Sequence, residues 1–159
     1  MSELPVEVIR STRRAKTVQA RVVDGRIRVS IPAGFTATEE KEWVERMTSK
    51  LRRRRSSLGI DLAGRAADLA ARLDLPSPAS IEWSDRQNTR WGSCSPAART
   101  IRISRRLAET PRWVLDYVIV HELAHLVAAR HDDEFHELVD RFPLAERARG
   151  YLIAKSESG

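Results

Sequence analysis

Apolar and polar residues alternate through residues 5–31: Val6 and Val8, then Val18, Ala20 and Val22, then Ile27, Val29 and Ile31. A period of two puts such side chains on one face of β-strands. Asp24-Gly25, between the last two runs, predicts a two-residue hairpin turn because both residues tolerate the positive φ that such a turn requires. A polar, basic connection, Arg10-Ser-Thr-Arg13-Arg14-Ala-Lys16, joins the first two runs, and Pro32-Ala-Gly34 closes the β-rich region.

The period then lengthens. Thr36 and Glu39 have capping-box spacing, and Trp43, Val44, Met47 and Leu51 recur at helical intervals, which predicts a helix over 37–57. After Gly59, Asp61 is placed to cap a second helix with the stripe Leu62, Ala66, Leu69, Ala70 and Leu73, ended by Pro76 and Pro78. Alternation returns at Ile81 and Trp83 and again at Ile101 and Ile103. Between them, Asn88–Ser95 reads as a strand end with a tight loop, in which Gly92 permits a turn or a close backbone approach. Thr110 as cap and Pro111 in the first turn predict a helix over 111–129. Asp132 or Asp133 then caps a helix to about 141 with Phe135, Leu138 and Val139 on its apolar side. A last short helix runs from Pro143 through Leu152, and residues 155–159 form a frayed tail.

Strands and helices in this order describe an α+β fold in one domain, 1–159. Its parts are a β-rich region (1–34), a helical pair (36–75) and a C-terminal core (80–155). A chain of 159 residues is long enough to bury such a core without staples. It has neither an apolar run long enough for a membrane span nor a secretory signal pattern, and its single Cys94 forms no internal disulfide. A cytoplasmic location is expected. The formal charge is +6, with 24 Arg against 4 Lys; this leaves a nucleic-acid partner open, since a basic protein attracts polyanions.

The histidines change the picture. All four (His121, His125, His131, His136) fall within 16 consecutive positions. Their helix is apolar on nearly every side, where a lone histidine reads as a core residue. Two histidines four apart, however, stack on one helical face and direct two imidazoles at one point. Burying both without a shared partner is costly. Glu122, about 100° further round, can reach a water there but is turned away from direct ligation, as a general base requires. His131, just past the helix, is the candidate third ligand. Three imidazoles with an open position describe a catalytic zinc site, whereas a closed cysteine-rich site is excluded by the cysteine count. Tyr117, one turn before His121, is a packed residue that could also donate to an oxyanion. Asp116, Asp132, Asp133 and Glu137 are candidates for orienting the imidazoles.

With these segments placed, the chain resembles the YgjP-like metallopeptidases, relatives of SprT-like and other zincin domains. The matching residues are Arg90-Trp-Gly-Ser-Cys-Ser95, Ile101-Arg-Ile103, Leu107, Pro111, Asp116-Tyr-Val-Ile-Val-His-Glu-Leu-Ala-His125, His131 and Phe135, with Arg13-Arg14-Ala-Lys16-Thr17 at the start. The resemblance implies a zincin-like α+β fold, with the helix carrying His-Glu-x-x-His on a small mixed sheet. It further implies His121, His125 and His131 as Zn2+ ligands, Glu122 as catalytic base and a peptide or protein substrate. The chain departs from the family pattern at His136, usually Trp, and at Ser104 and Arg130, often Asn; His136 reads as a surface residue of the next helix. Three readings compete with peptide hydrolysis: a metal-dependent endoribonuclease-like activity and a DNA-associated protein, each using the same three histidines, and a metal-binding domain without turnover. Glu122 and the Trp91-Gly-Ser-Cys segment favour the peptidase.

Overall fold

In the computed structural model, which describes residues 3–158, the residues up to Arg55 form one compact unit and those from Ser56 a second. Among the described residues no helix is long and apolar enough to cross a membrane.

The first unit begins with strands β1 (Val6–Ser11), β2 (Gln19–Val23) and β3 (Arg26–Pro32). β3 is central, parallel to β1 and antiparallel to β2. The Asp24-Gly25 turn forms as expected, with φ of 50° and 72°. Ile27, Val29 and Ile31 bury one face, against Val44 and Leu51 of α1 (Ala37–Leu58). The capping box is reciprocal: Thr36 N–H donates to Glu39 Oε2 at 2.7 Å, and Glu39 N–H to Thr36 Oγ1 at 3.1 Å. Two orphan donors of the first turn are thereby satisfied.

In the second unit Asp61 caps α2 (Leu62–Leu73) by accepting from Gly64 N–H at 3.0 Å. α2 stops before the prolines, because Asp74 takes the left-handed conformation (φ 53°) and its N–H closes the end on Ala70 O. Strands β4 (Ser80–Ser84), β5 (Gly92–Ser95) and β6 (Thr100–Ser104) form a mixed sheet in the order β4-β6-β5. A 3-10 turn, Arg105–Glu109, leads to α3 (Arg112–His125), followed by α4 (Asp133–Val139) and α5 (Ala145–Ser158). α2, α4, α5, β5 and β6 all pack on α3. Val114, Leu115, Val118, Ile119, Val120, Leu123 and Ala124 are therefore all buried, which is why this helix is apolar all round.

The boundaries differ from the sequence reading in three places. Thr110 does not cap α3: its hydroxyl donates to Leu107 O at 2.8 Å, completing the 3-10 turn, and Pro111 holds the cap position. α3 ends at His125 rather than 129, because Leu126 and Val127 bond three residues back, to Leu123 O and Ala124 O. That tightening is invisible to hydrophobic spacing, which continues through Val127. α5 starts at Ala145 and remains helical to Ser158, with Ala145, Ala148 and Leu152 buried. No breaker follows Leu152, so the expected tail is helix as far as the described residues extend; Gly159 lies outside them.

Candidate active site

His121 and His125 project from the last turn of α3, and the early end of that helix lets residues 126–131 turn back over it. One ring nitrogen from each of His121, His125 and His131 lies within 4.8 Å of the others. His125 Nε2 and His131 Nε2 are 3.0 Å apart. His125 Nδ1 lies 3.1 Å from Ala128 O; since a carbonyl only accepts, Nδ1 carries the hydrogen and Nε2 is left with its lone pair toward His131. The residue that orients His125 is thus a backbone carbonyl and none of the four candidate carboxylates. Asp116 is held by Arg65 at 2.7 Å, Asp132 caps α4 by accepting from Phe135 N–H, and Glu137 pairs with Arg141; Asp133 lies in the first turn of α4. His136 is exposed and outside the three-histidine group.

A ring that the apolar spacing of α4 marks only as core lies beneath this group. Phe135, 2% exposed, has its centroid 4.8 Å from His121, 4.5 Å from His125 and 4.7 Å from His131. Its position on the apolar side of α4 was legible; that this side would meet three imidazoles was not.

Burial, then repulsion from His125 and His131, lowers the His121 pKa to about 3; burial is also the main cause lowering that of His125. Both rings are neutral near pH 7, the state in which imidazole ligates. Glu122, 5% exposed, is pushed up to about 7 by burial, against the opposing charge of Arg90. Gly92 on β5 makes room for it: a Cβ there would lie 3.0 Å from Glu122 Oε1, 3.1 Å from its Cγ and 3.2 Å from Val118 Cγ1. This is the close approach that the glycine suggested.

The group opens into a cleft of about 1000 Å³. One side is Arg90–Cys94; another is α5, through Arg149, Leu152 and Ile153. Arg106 fixes the first side, donating to Ser104 Oγ, Gln87 O and Arg90 O and lying 4.1 Å over the Trp91 ring. Tyr117 is 6% exposed and lines the cleft beside Arg149, whose guanidinium carbon lies 5.9 Å from the centre of its ring. The contribution of α5 had no signal in the sequence, because its cleft-lining residues begin at Arg149, far along the chain from His121.

Three imidazoles converging beside a buried carboxylate, with no thiolate among them, suit a small divalent cation of intermediate softness. The three histidines form a group able to hold a metal ion. Residues 54–152 match the family model of the YgjP-like metallopeptidase domain, and the chain belongs to that family. Two crystal structures share the fold. The metallopeptidase zymogen of Pyrococcus abyssi abylysin is 18% identical, with a TM-score of 0.52 over 58% of this chain and 91% of that one. The metallopeptidase zymogen of Methanocaldococcus jannaschii jannalysin is 17% identical, with a TM-score of 0.51 over 60% and 97%. The α+β, zincin-like fold expected from the sequence is thereby borne out. No curated protein sequence matches the chain.

Proposed function

We propose that the protein is a zinc-dependent peptidase in which His121, His125 and His131 hold the ion and Glu122 is the general base. The observation that carries this reading is the convergence of three imidazole nitrogens within 4.8 Å next to the buried Glu122 at the floor of one cleft. A zinc ion there supplies Lewis acidity and lowers the pKa of water toward about 7. Glu122 accepts the proton of the attacking water on its carboxylate and delivers it to the amide nitrogen as the C–N bond breaks. Tyr117 and Arg149, neighbours at the cleft wall, are donors for the substrate carbonyl as negative charge develops on its oxygen. β5 pairs with β6 on one side only, so its other edge offers backbone groups to an extended peptide.

The test is Glu122→Gln, assayed with the zinc-loaded protein against a mixed-sequence quenched-fluorescent peptide library. Turnover should fall about 10²–10⁴-fold with zinc content near one per chain. Undiminished cleavage by the variant would remove Glu122 from the mechanism; cleavage lost together with zinc would make it part of the metal site instead.

A further inference from the structure

The net charge is confined to one part of the chain. Residues 1–55 carry fourteen Lys and Arg against seven Asp and Glu, a formal +7, whereas residues 56–159 carry fourteen against fifteen, a formal −1. The division at residue 55 is also the boundary between the two compact units, and nearly all of the first unit precedes the residues matched by the peptidase family model. The excess therefore belongs to a unit that contributes no residue to the three-histidine group.

Within that unit the strand register sorts the charges. The face of the sheet that carries Ile27, Val29 and Ile31 is buried. The opposite face carries Gln19, Arg21 and Val23 of β2, Arg26, Arg28 and Ser30 of β3, and Glu7, Ile9 and Ser11 of β1. Arg21 stands directly opposite Arg28, a like-charge pairing that disfavours the sheet. Arg14 joins the same face by donating to Gln19 Oε1 at 2.8 Å. Glu7, the sole acidic side chain on these strand faces, is engaged by Arg28 at 3.1 Å. Arg21 and Arg26 are exposed and have no carboxylate partner among the described residues.

The geometry points to this outer sheet face as a binding surface for the phosphate backbone of duplex nucleic acid. Arginines on neighbouring strands, about 4.8 Å apart across the sheet, present forked donors that match phosphate oxygens. The face has no aromatic side chain on which unpaired bases would stack, which disfavours single strands. Its apolar residues that reach the surface, Ile9 and Val23, are separated by the polar row of β3, while Pro32 at the end of that strand is buried, so no apolar belt is available for insertion into a membrane. With no helix on this face to enter a groove, contacts go to phosphates and recognition is independent of base sequence. This inference does not depend on the peptidase reading.

The experiment is fluorescence anisotropy of the full chain with a labelled 20-base-pair DNA duplex over a range of KCl concentrations. Binding should weaken with salt at a log–log slope of about −3, as three or four phosphate contacts predict. Arg21→Glu with Arg26→Glu should weaken binding at least ~10-fold and make the slope shallower by about 2, because each lost contact removes about 0.9. Arg21→Gln with Arg26→Gln should fall between. Lys41→Glu with Lys50→Glu, the same charge change on exposed positions of α1, should stay within about threefold of the parent, since those contacts are not made. The inference is overturned by absence of duplex binding at low salt, by equal losses in the α1 variant, or by tighter Arg21-dependent binding to a single strand of the same length or to phosphatidylserine vesicles.

Discussion

Gly92 and Glu122 are in such close contact that a single methyl group on the glycine would stand 3.0 Å from the carboxylate oxygen Oε1. Such a contact is tighter than ordinary van der Waals packing, and Val118 Cγ1, at 3.2 Å, blocks the alternative retreat. Gly92→Ala is therefore expected to turn the Glu122 side chain out of position while leaving the imidazoles in place. Peptide turnover should drop at least ~10-fold, the scale on which small misplacements act, with zinc stoichiometry and KM little altered. A fully active Gly92→Ala protein would show that Glu122 has slack that its surroundings do not suggest.

Metal content separates the two histidines that follow α3. His131→Ala removes a member of the convergent group, and zinc retained after dialysis should fall well below one per chain. His136→Ala, at an exposed position outside the group, should retain it. A chelator should abolish cleavage by the parent protein, and added zinc should restore it. Elemental analysis that found zinc lost with His136 and kept with His131 would reverse the ligand assignment.

Phe135 supports the three rings from below and is itself almost completely buried. Truncation to Ala should destabilise the second unit by about 3–5 kcal/mol through the lost burial and the cavity left behind. Phe135→Leu, closer in volume, should cost about 1.5 kcal/mol or less yet still weaken zinc binding several-fold, because a branched aliphatic chain does not fill the space against three flat rings. Urea unfolding with and without zinc distinguishes the two effects.

Arg65 on α2 holds Asp116 on α3 through two hydrogen bonds, at 3.1 and 2.7 Å, with both side chains only 16% exposed. Breaking a fully buried pair costs roughly 3–5 kcal/mol, and residual solvent screening reduces that here to about 1–3 kcal/mol. Asp116→Asn and Arg65→Met should each lower stability by that amount, and together by less than the sum. The coupling from a double-mutant cycle should exceed ~0.5 kcal/mol, and values near zero would mean that the pair is incidental. Neither change should alter zinc stoichiometry, since Asp116 faces α2 rather than the imidazoles.

Much of this arrangement was legible in the residues themselves. Period-two alternation, the Asp24-Gly25 turn, the Thr36/Glu39 box and the Asp61 cap are determined by interactions within a few residues, and each formed where the sequence placed it. The pairing of His121 with His125 is equally local, since four residues on a helix return to the same face. His131 was legible by its nearness to the helix end, although the helix stops earlier than its apolar pattern does.

The tertiary structure decided what distant segments bring to that turn. Phe135, Gly92 and Arg149 meet α3 through the packing of α4, β5 and α5, and a one-dimensional period carries no information about which faces of separate elements will touch. The orienting partner of His125 is a main-chain carbonyl, a group that every residue possesses and that no sequence pattern can single out. Three of the four candidate carboxylates, Asp116, Asp132 and Glu137, were instead taken by Arg65, the α4 cap and Arg141, because a charged side chain settles with whichever partner the fold brings within reach. Total charge was likewise a property of the sequence; the placing of Arg21, Arg26 and Arg28 on one sheet face was decided by strand register, since a shift of one residue would exchange the two faces.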